Sequence, residues 1–206
     1  MLRVCLESPA VTEVRAIVRR PNGLVDPKLR EIVHADYLDF AAVAEGFTGI
    51  DACFYCLGIS VMQVSGEAEY RKITHDFALA AARALKVHSP SAQFQFISGK
   101  SASLTSRQMW ARVKAETERD LIAEVNALCW RPAAIDGMPS AREPIVFKIA
   151  RPILRVVFGP FRSLYAKGDD IGRAMLEANA CDVRGRIIEN AELRDLADAW
   201  RERAVR

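Results

Sequence analysis

The chain has 206 residues, half of them hydrophobic, and carries 29 lysines and arginines against 26 acidic residues, a net charge of +3. That composition suits one core of good size, while so slight and scattered a positive balance excludes a nucleic-acid partner of the basic-stripe kind. No apolar run approaches the roughly 20 residues that span a bilayer, and Arg3 and Glu7 interrupt any signal-peptide core, so the expected setting is cytoplasmic.

The opening stretch, MLRVCLESP, reads as the last turns of a helix, with Leu2, Cys5 and Leu6 on one face and a stop at Ser8-Pro9. VTEVRAIVR (11–19) and EIVHAD (31–36) predict short strands, and IDACFYCLG (50–58) predicts a near-continuous apolar one. EAEYRKITHDFALAAARALKV (67–87) predicts a helix with Tyr70, Ile73, Phe77, Ala81 and Leu85 on one stripe. AQFQFIS (92–98) predicts a strand, 106–125 a helix with Met109, Val113, Leu121 and Val125 inward, and ALCWRPAAI (127–135) a further strand. Strands apolar on both faces and alternating with helices imply a parallel sheet covered on both sides, a Rossmann-like doubly wound α/β fold.

After Pro139 the rhythm changes. Residues 144–165 are apolar with Lys148, Arg151, Arg155 and Arg162 as basic punctuation. That pattern fits a helix of a substrate-binding part whose basic side chains snorkel; a membrane-surface helix is the other reading of the same pattern. GDDIGRAMLEANA (168–180) predicts a helix capped by Asp169 or Asp170, GRIIEN (185–190) a short strand, and AELRDLADAWRERA a terminal helix. The expected division is a nucleotide-binding domain over 1–138 and a small helical, substrate-facing subdomain over 139–206.

Five cysteines stand at 5, 53, 56, 129 and 181. Cys53 and Cys56 have redox or metal spacing, but residues three apart on a strand point to opposite faces, so both are expected as small core residues. His34, His75 and His88 have no metal-ligand spacing, and no metal site is expected.

A doubly wound sheet grips a dinucleotide at its first strand-to-helix turn, where close-set glycines admit the pyrophosphate to a helix N-terminus. Here the first glycine is Gly23, after the first predicted strand, and no G-x-G-x-x-G or G-x-x-G-x-x-G occurs. Since a strand precedes the first helix in such a fold, the sequence is expected to begin inside the first crossover helix. The first, central strand and its glycine-rich loop are then missing from it.

Taken together, VTEVRAIVRRP, DACFYCLGIS, EAEYRKITHDFALAAARAL, FQFISGKSAS, MWARVKAETE and LCWRPAAIDG resemble, in order and spacing, the short-chain dehydrogenase/reductase superfamily. The resemblance is to its extended and atypical branches, the NAD-dependent epimerase/dehydratase-like proteins, and spans most of residues 10–140. It implies a nicotinamide dinucleotide as cofactor and a small molecule, unnamed by the sequence, as substrate. Arg19 and Arg20 end the second strand, where an acidic residue would hold a ribose 2′-hydroxyl; arginines there suit a 2′-phosphate and favour NADP over NAD. By the same resemblance Asp36 faces the adenine, and Leu57-Gly58 passes under the cofactor. Ser98 stands at the catalytic serine position, Lys114 at that of the lysine holding the nicotinamide ribose, and Arg131-Pro132 near the nicotinamide.

Trp110 departs from the pattern. It lies one turn before Lys114 on the same helix face, where the family keeps a tyrosine. Tyrosine passes a proton during hydride transfer; indole offers one N–H and no accessible ionisation, so it positions a carbonyl without protonating it. Tyr70, His75 and Cys56 are the candidate replacements. The sequence therefore supports an oxidoreductase or epimerase-like enzyme with a non-standard acid, or a non-catalytic nucleotide-binding protein acting through partners.

Overall fold

The computed structural model describes residues 1–136 and 161–205. Helix α1 (Leu2–Glu7) leads to the strands β1 (Val14–Val18) and β2 (Leu29–Val33), a 3-10 segment (Ala41–Phe47) and β3 (Ala52–Tyr55). Next come α2 (Glu67–Arg71), a π-helical turn (Lys72–Asp76) and α3 (Phe77–His88), then β4 (Gln93–Ile97) and α4 (Met109–Val125). β5 (Leu128–Arg131), β6 (Ala134–Asp136), β7 (Tyr165–Lys167), α5 (Gly168–Ala180), β8 (Ile187–Glu189) and α6 (Asn190–Val205) complete the described chain.

Every strand pairing is parallel. β3, β4, β5 and β8 form one ladder in that order, β1 and β2 a second, and β6 and β7 a third. β4 shows why the main ladder is two-sided. Its sequence QFQFI sends Gln93 and Gln95 to one face and Phe94 and Phe96 to the other, and all four are buried. Phe94 and Phe96 meet Tyr55 and the alanine-rich face of α3, with ring centroids 5.8 and 6.1 Å from Tyr55. On the opposite face Trp130 packs with Ala174, Met175 and Ala178 of α5 and with Leu193 and Ala197 of α6. The C-terminal helices thus cover the face that the glutamines share.

The glutamines are accommodated by hydrogen bonds. Trp130 Nε1 donates to Gln95 Oε1 at 2.9 Å, Gln95 Nε2 donates to the Met175 carbonyl at 2.9 Å and to Gln93 Oε1, and Gln93 Nε2 donates to the Val183 carbonyl at 2.7 Å. Buried polar groups left unpaired cost more than paired ones contribute, so this network ties α5 to β4 and β5 in one arrangement.

The ladder is interrupted between β1 and β3. Val14 donates to the Lys28 carbonyl and Val18 accepts from His34, so Val14, Ala16 and Val18 face β2, while Arg15 and Ile17 turn their backbone groups away. Gln93 donates to the Asp51 carbonyl, which by the same alternation leaves Ala52 and Phe54 facing away from β4. Among the described residues no strand pairs with either edge.

Several elements differ in detail from the sequence reading. β2 begins before the predicted 31–36, and 127–135 is two strands, because Pro132 brings no N–H to continue the ladder. Helix 67–87 is present but carries the π turn. In α1 the buried residues are Val4 and Cys5, while Leu2 and Leu6 are only half-buried. Val4 lies against α5 at Gly172, where an added Cβ would come within 3.0 Å of it. Neither Asp169 nor Asp170 caps α5, which starts from Lys167 with no side-chain cap. Both lie in its first turn, where negative charge is favourable, and pair with Arg3 and with Arg173 and Arg201. Of the basic punctuation, Lys148, Arg151 and Arg155 lie outside the described residues; Arg162 bonds to Asp195 and Asp198 of α6, both at 2.7 Å. Among the described residues no helix is long and apolar enough to cross a membrane.

Two stability outcomes follow. Gln95→Leu strands the Trp130 N–H and the Met175 carbonyl in the core and is expected to cost about 2–4 kcal/mol in denaturant unfolding. Gly185 has φ +65°, and a Cβ there would sit 2.0 Å from Asn126 Oδ1. Gly185→Ala is therefore expected to cost at least about 1–2 kcal/mol from backbone strain; an unchanged midpoint contradicts the packing of this turn.

Candidate functional site

The carboxyl ends of β3, β4 and β5 lead into Leu57-Gly58, Ser98 and Pro132. The crevice at the carboxyl ends of a parallel sheet is where such folds bind ligands. Ser98 extends β4 by one rung, its amide donating to the Trp130 carbonyl at 2.8 Å. It is 3% exposed, and its hydroxyl finds no hydrogen-bond partner among the described residues. From α4, Lys114 reaches to this rung, and its Nζ donates to the Ser98 carbonyl at 2.6 Å. The amine lies beside Gly99, where an added Cβ would meet Nζ at 3.6 Å, an ordinary contact distance. Burial pushes the Lys114 amine down from 10.5 to about 8, against the opposing pull of Glu118 one turn further along α4.

Glu118 is the residue the sequence reading missed. It is 1% exposed and takes a two-pronged bond from Arg131, Nε to Oε1 at 2.9 Å and Nη2 to Oε2 at 2.6 Å. Arg131 also donates to Glu189 at 3.2 Å. Its guanidinium therefore braces β5 against α4 and β8. One sequence signal pointed to Glu118: it continues the buried row Ala111, Ala115 at helical spacing. Pro132 is buried, and its carbonyl accepts from the Lys100 amide at 2.9 Å; Lys100 Nζ in turn donates to the Ser163 carbonyl at 2.9 Å. These bonds border the Ser98 loop with Pro132 on one side and the stretch after residue 160 on the other.

Trp110 occupies the first turn of α4, half-buried, and its indole N–H makes no hydrogen bond among the described residues. The candidate replacement acids lie elsewhere. Tyr70 is buried, with its hydroxyl pushed up by desolvation. His75 is held between Asp76 at 2.7 Å and Asp120 at 2.9 Å, bracing the π turn against α4. Cys56 is exposed just beyond β3, which corrects its expected place in the core, whereas burial pushes the Cys53 thiol up to about 12. None of the three touches Ser98 or Lys114 among the described contacts.

At the other ladder, Arg19 and Arg20 follow β1 as exposed side chains and form no ion pair among the described residues. Asp36 lies beyond β2 in a turn, its carboxylate accepting from the Leu38 amide at 2.9 Å and its carbonyl bonding to the His34 ring at 2.6 Å. Leu57 packs against the aromatic core, and a Cβ built on Gly58 would meet no protein atom within 4 Å.

No protein-family profile matches the chain. Solved structures do match its architecture. The ADP-L-glycero-D-manno-heptose-6-epimerase of Helicobacter pylori aligns over 97% of this chain and 78% of its own, with TM-score 0.65 at 10% identity. The dTDP-glucose 4,6-dehydratase DesIV of Streptomyces venezuelae, solved with NAD bound, aligns over 94% and 72%, with TM-score 0.62 at 16% identity. The chain shares the Rossmann-like α/β fold of these structures. In sequence, the mitochondrial protein FMP52 of Eremothecium gossypii is 24% identical over 207 residues, which is 95% of this chain and 90% of that protein.

The buried amine gives a pH signature with a definite sign. The folded chain releases the Lys114 proton near pH 8, while the unfolded chain keeps it until about 10.5. Between those values the unfolded state binds more protons, so this group makes stability rise with pH. The stability of the wild-type chain relative to Lys114→Met is expected to increase across that window in denaturant titrations; a flat difference contradicts the burial of the amine.

Proposed function

We propose that this chain binds a nicotinamide dinucleotide, NADP in preference to NAD, and serves an oxidoreductase or epimerase-like reaction at a carbonyl of a small molecule. The observation that carries the reading is the Lys114 amine held 2.6 Å from the Ser98 carbonyl at the carboxyl end of β4, beside an unpartnered Ser98 hydroxyl. Three further features fit the nucleotide: open space over Gly58, the unpaired guanidinium groups of Arg19 and Arg20, and Asp36 beyond β2. When bound, the cofactor supplies the hydride chemistry. The chain's own part is to hold the sugar through Lys114, to donate a hydrogen bond from Ser98, and to orient the substrate carbonyl with the Trp110 N–H. In this reading residues 1–138 hold the nucleotide and 139–206 the substrate, supported by the Lys100–Ser163 bond across the Ser98 loop.

Trp110 favours a second reading, a non-catalytic nucleotide-binding protein, because indole carries no transferable proton. Lys114→Ala separates the two. Loss of turnover of a carbonyl substrate supports the enzyme; weakened nucleotide binding with no turnover to lose supports the binder. For the cofactor, replacing both Arg19 and Arg20 with alanine removes the charge facing a 2′-phosphate. Calorimetric titration is expected to show NADPH affinity falling about ten- to a hundredfold, the worth of charge-assisted hydrogen bonds, with NADH affinity almost unchanged. Equal losses for both nucleotides count against NADP selectivity.

A further inference from the structure

Lys114 differs from the arginines around it. The arginines bordering it are committed to acids: Arg131 to Glu118 and Glu189, Arg71 to Glu116, and Arg112 to Glu67. Among the described residues Lys114 forms no ion pair, and its amine donates to a backbone carbonyl. On the elements packed against α4, His75 is held by Asp76 and Asp120 and Arg83 by the Glu124 carboxylate, Lys86 donates to the Glu124 backbone carbonyl, and Lys72 is exposed. Only Glu118 acts on the amine, and its carboxylate is already bound by Arg131 on both oxygens.

A lysine without a counter-ion in a desolvated place carries a larger unprotonated, nucleophilic share than an exposed one. The hydroxyl beside it strengthens this assignment. Ser98 Oγ belongs to the same residue as the carbonyl that Nζ bonds, so covalent geometry keeps it within a few ångströms of that oxygen. It is buried and unpaired, and a buried hydroxyl without a partner costs stability unless a ligand satisfies it.

We propose that Lys114 is a reactive amine that captures small aldehydes as an imine, with the Ser98 hydroxyl as hydrogen-bond donor and proton relay for the carbonyl oxygen. The nitrogen lone pair attacks the carbonyl carbon, and the nitrogen proton passes to the oxygen by way of Ser98. The carbinolamine then loses water as the C=N bond forms. Nothing is oxidised or reduced, and no cofactor is consumed. With the amine near 8, about a tenth of it is unprotonated at pH 7, some two hundred times the share of an ordinary lysine at about 10.4. The capture is independent of whether the nucleotide reading holds.

The test uses the intact wild-type chain at neutral pH with limiting glycolaldehyde and sodium cyanoborohydride, which reduces the imine to a stable secondary amine. Labelled lysines are mapped by peptide mass spectrometry. Lys114 is expected to label at least tenfold faster than Lys72 and Lys167, both exposed on the surface. Labelling of Lys114 no faster than of Lys72 overturns the proposal. Ser98→Ala removes only a hydroxyl with no partner, so the fold is expected to tolerate it. In that variant Lys114 labelling is expected to fall severalfold with Lys72 unchanged; an undiminished rate removes Ser98 from the proposal. Fast labelling in a chain that binds neither NADPH nor NADH upholds the imine while ending the nucleotide reading.

Discussion

The alternation in β4 constrains the rest of the molecule. Gln93 and Gln95 face one buried layer, Phe94 and Phe96 the other, and the two layers are chemically incompatible. A slip of one residue would put amides among the aromatic rings of Tyr55 and α3, and rings where Trp130 and Met175 expect hydrogen bonds. Register is therefore set by hydrogen-bonding need as well as by hydrophobicity. Because β4 is held, its next residue is held too: Ser98 donates its amide to the Trp130 carbonyl, and its own carbonyl lies where Lys114 reaches it.

The same rung explains the electrostatics around it. α4 brings two polar side chains toward the sheet one turn apart, Lys114 and Glu118, yet they do not neutralise each other. Glu118 is taken by Arg131, whose planar fork matches a carboxylate with two bonds. A buried carboxylate so paired leaves the lysine with a carbonyl and its own desolvation. The result is an amine of reduced basicity within reach of a buried, unsatisfied hydroxyl, at the strand ends where this fold presents its ligands. Trp110 stands where the resemblance expects a proton-donating tyrosine, which is why the two proposed readings of the function diverge at a single residue.

The sheet and its helices were legible because strands buried on both faces are apolar throughout and helices repeat at 3.6 residues. The place of Ser98 at a strand end, and of Trp110 and Lys114 one turn apart on the following helix, was legible because strand, loop and helix keep their spacing. What could not be read involved partners distant in sequence. Glu118 looks like a solvent-facing acid until Arg131 is folded onto it, and the guanidinium of Arg131 looks available to a ligand until Glu118 and Glu189 claim it. Asp169 and Asp170 read as caps because acids favour helix starts, whereas tertiary pairing to Arg3 and Arg201 decided their use. Cys56 read as core because its strand did, but the strand ends one residue before it.

The two ladders are joined without backbone pairing between β1 and β3; packing holds them together, with the Arg15 guanidinium of β1 donating to the Glu45 and Thr48 carbonyls at 2.9 and 2.6 Å. On one face Val14 and Phe54 meet Val4 and Cys5 of α1 and Leu176 of α5. On the other, Ile17, Ile32, Cys53 and Leu57 share the aromatic cluster around Tyr37, Phe40 and Tyr55. Tyr37 adds a polar link at the open edge of β1, its hydroxyl donating to the Ile17 carbonyl at 3.3 Å. Apolar contact is weakly directional, whereas a ladder fixes strand separation and register together. The arginines after β1 are thus positioned less firmly relative to β3 than Ser98 is relative to β5. Any ligand bridging Arg19 and Gly58 would have to supply part of the rigidity that backbone pairing gives to the other half of the sheet.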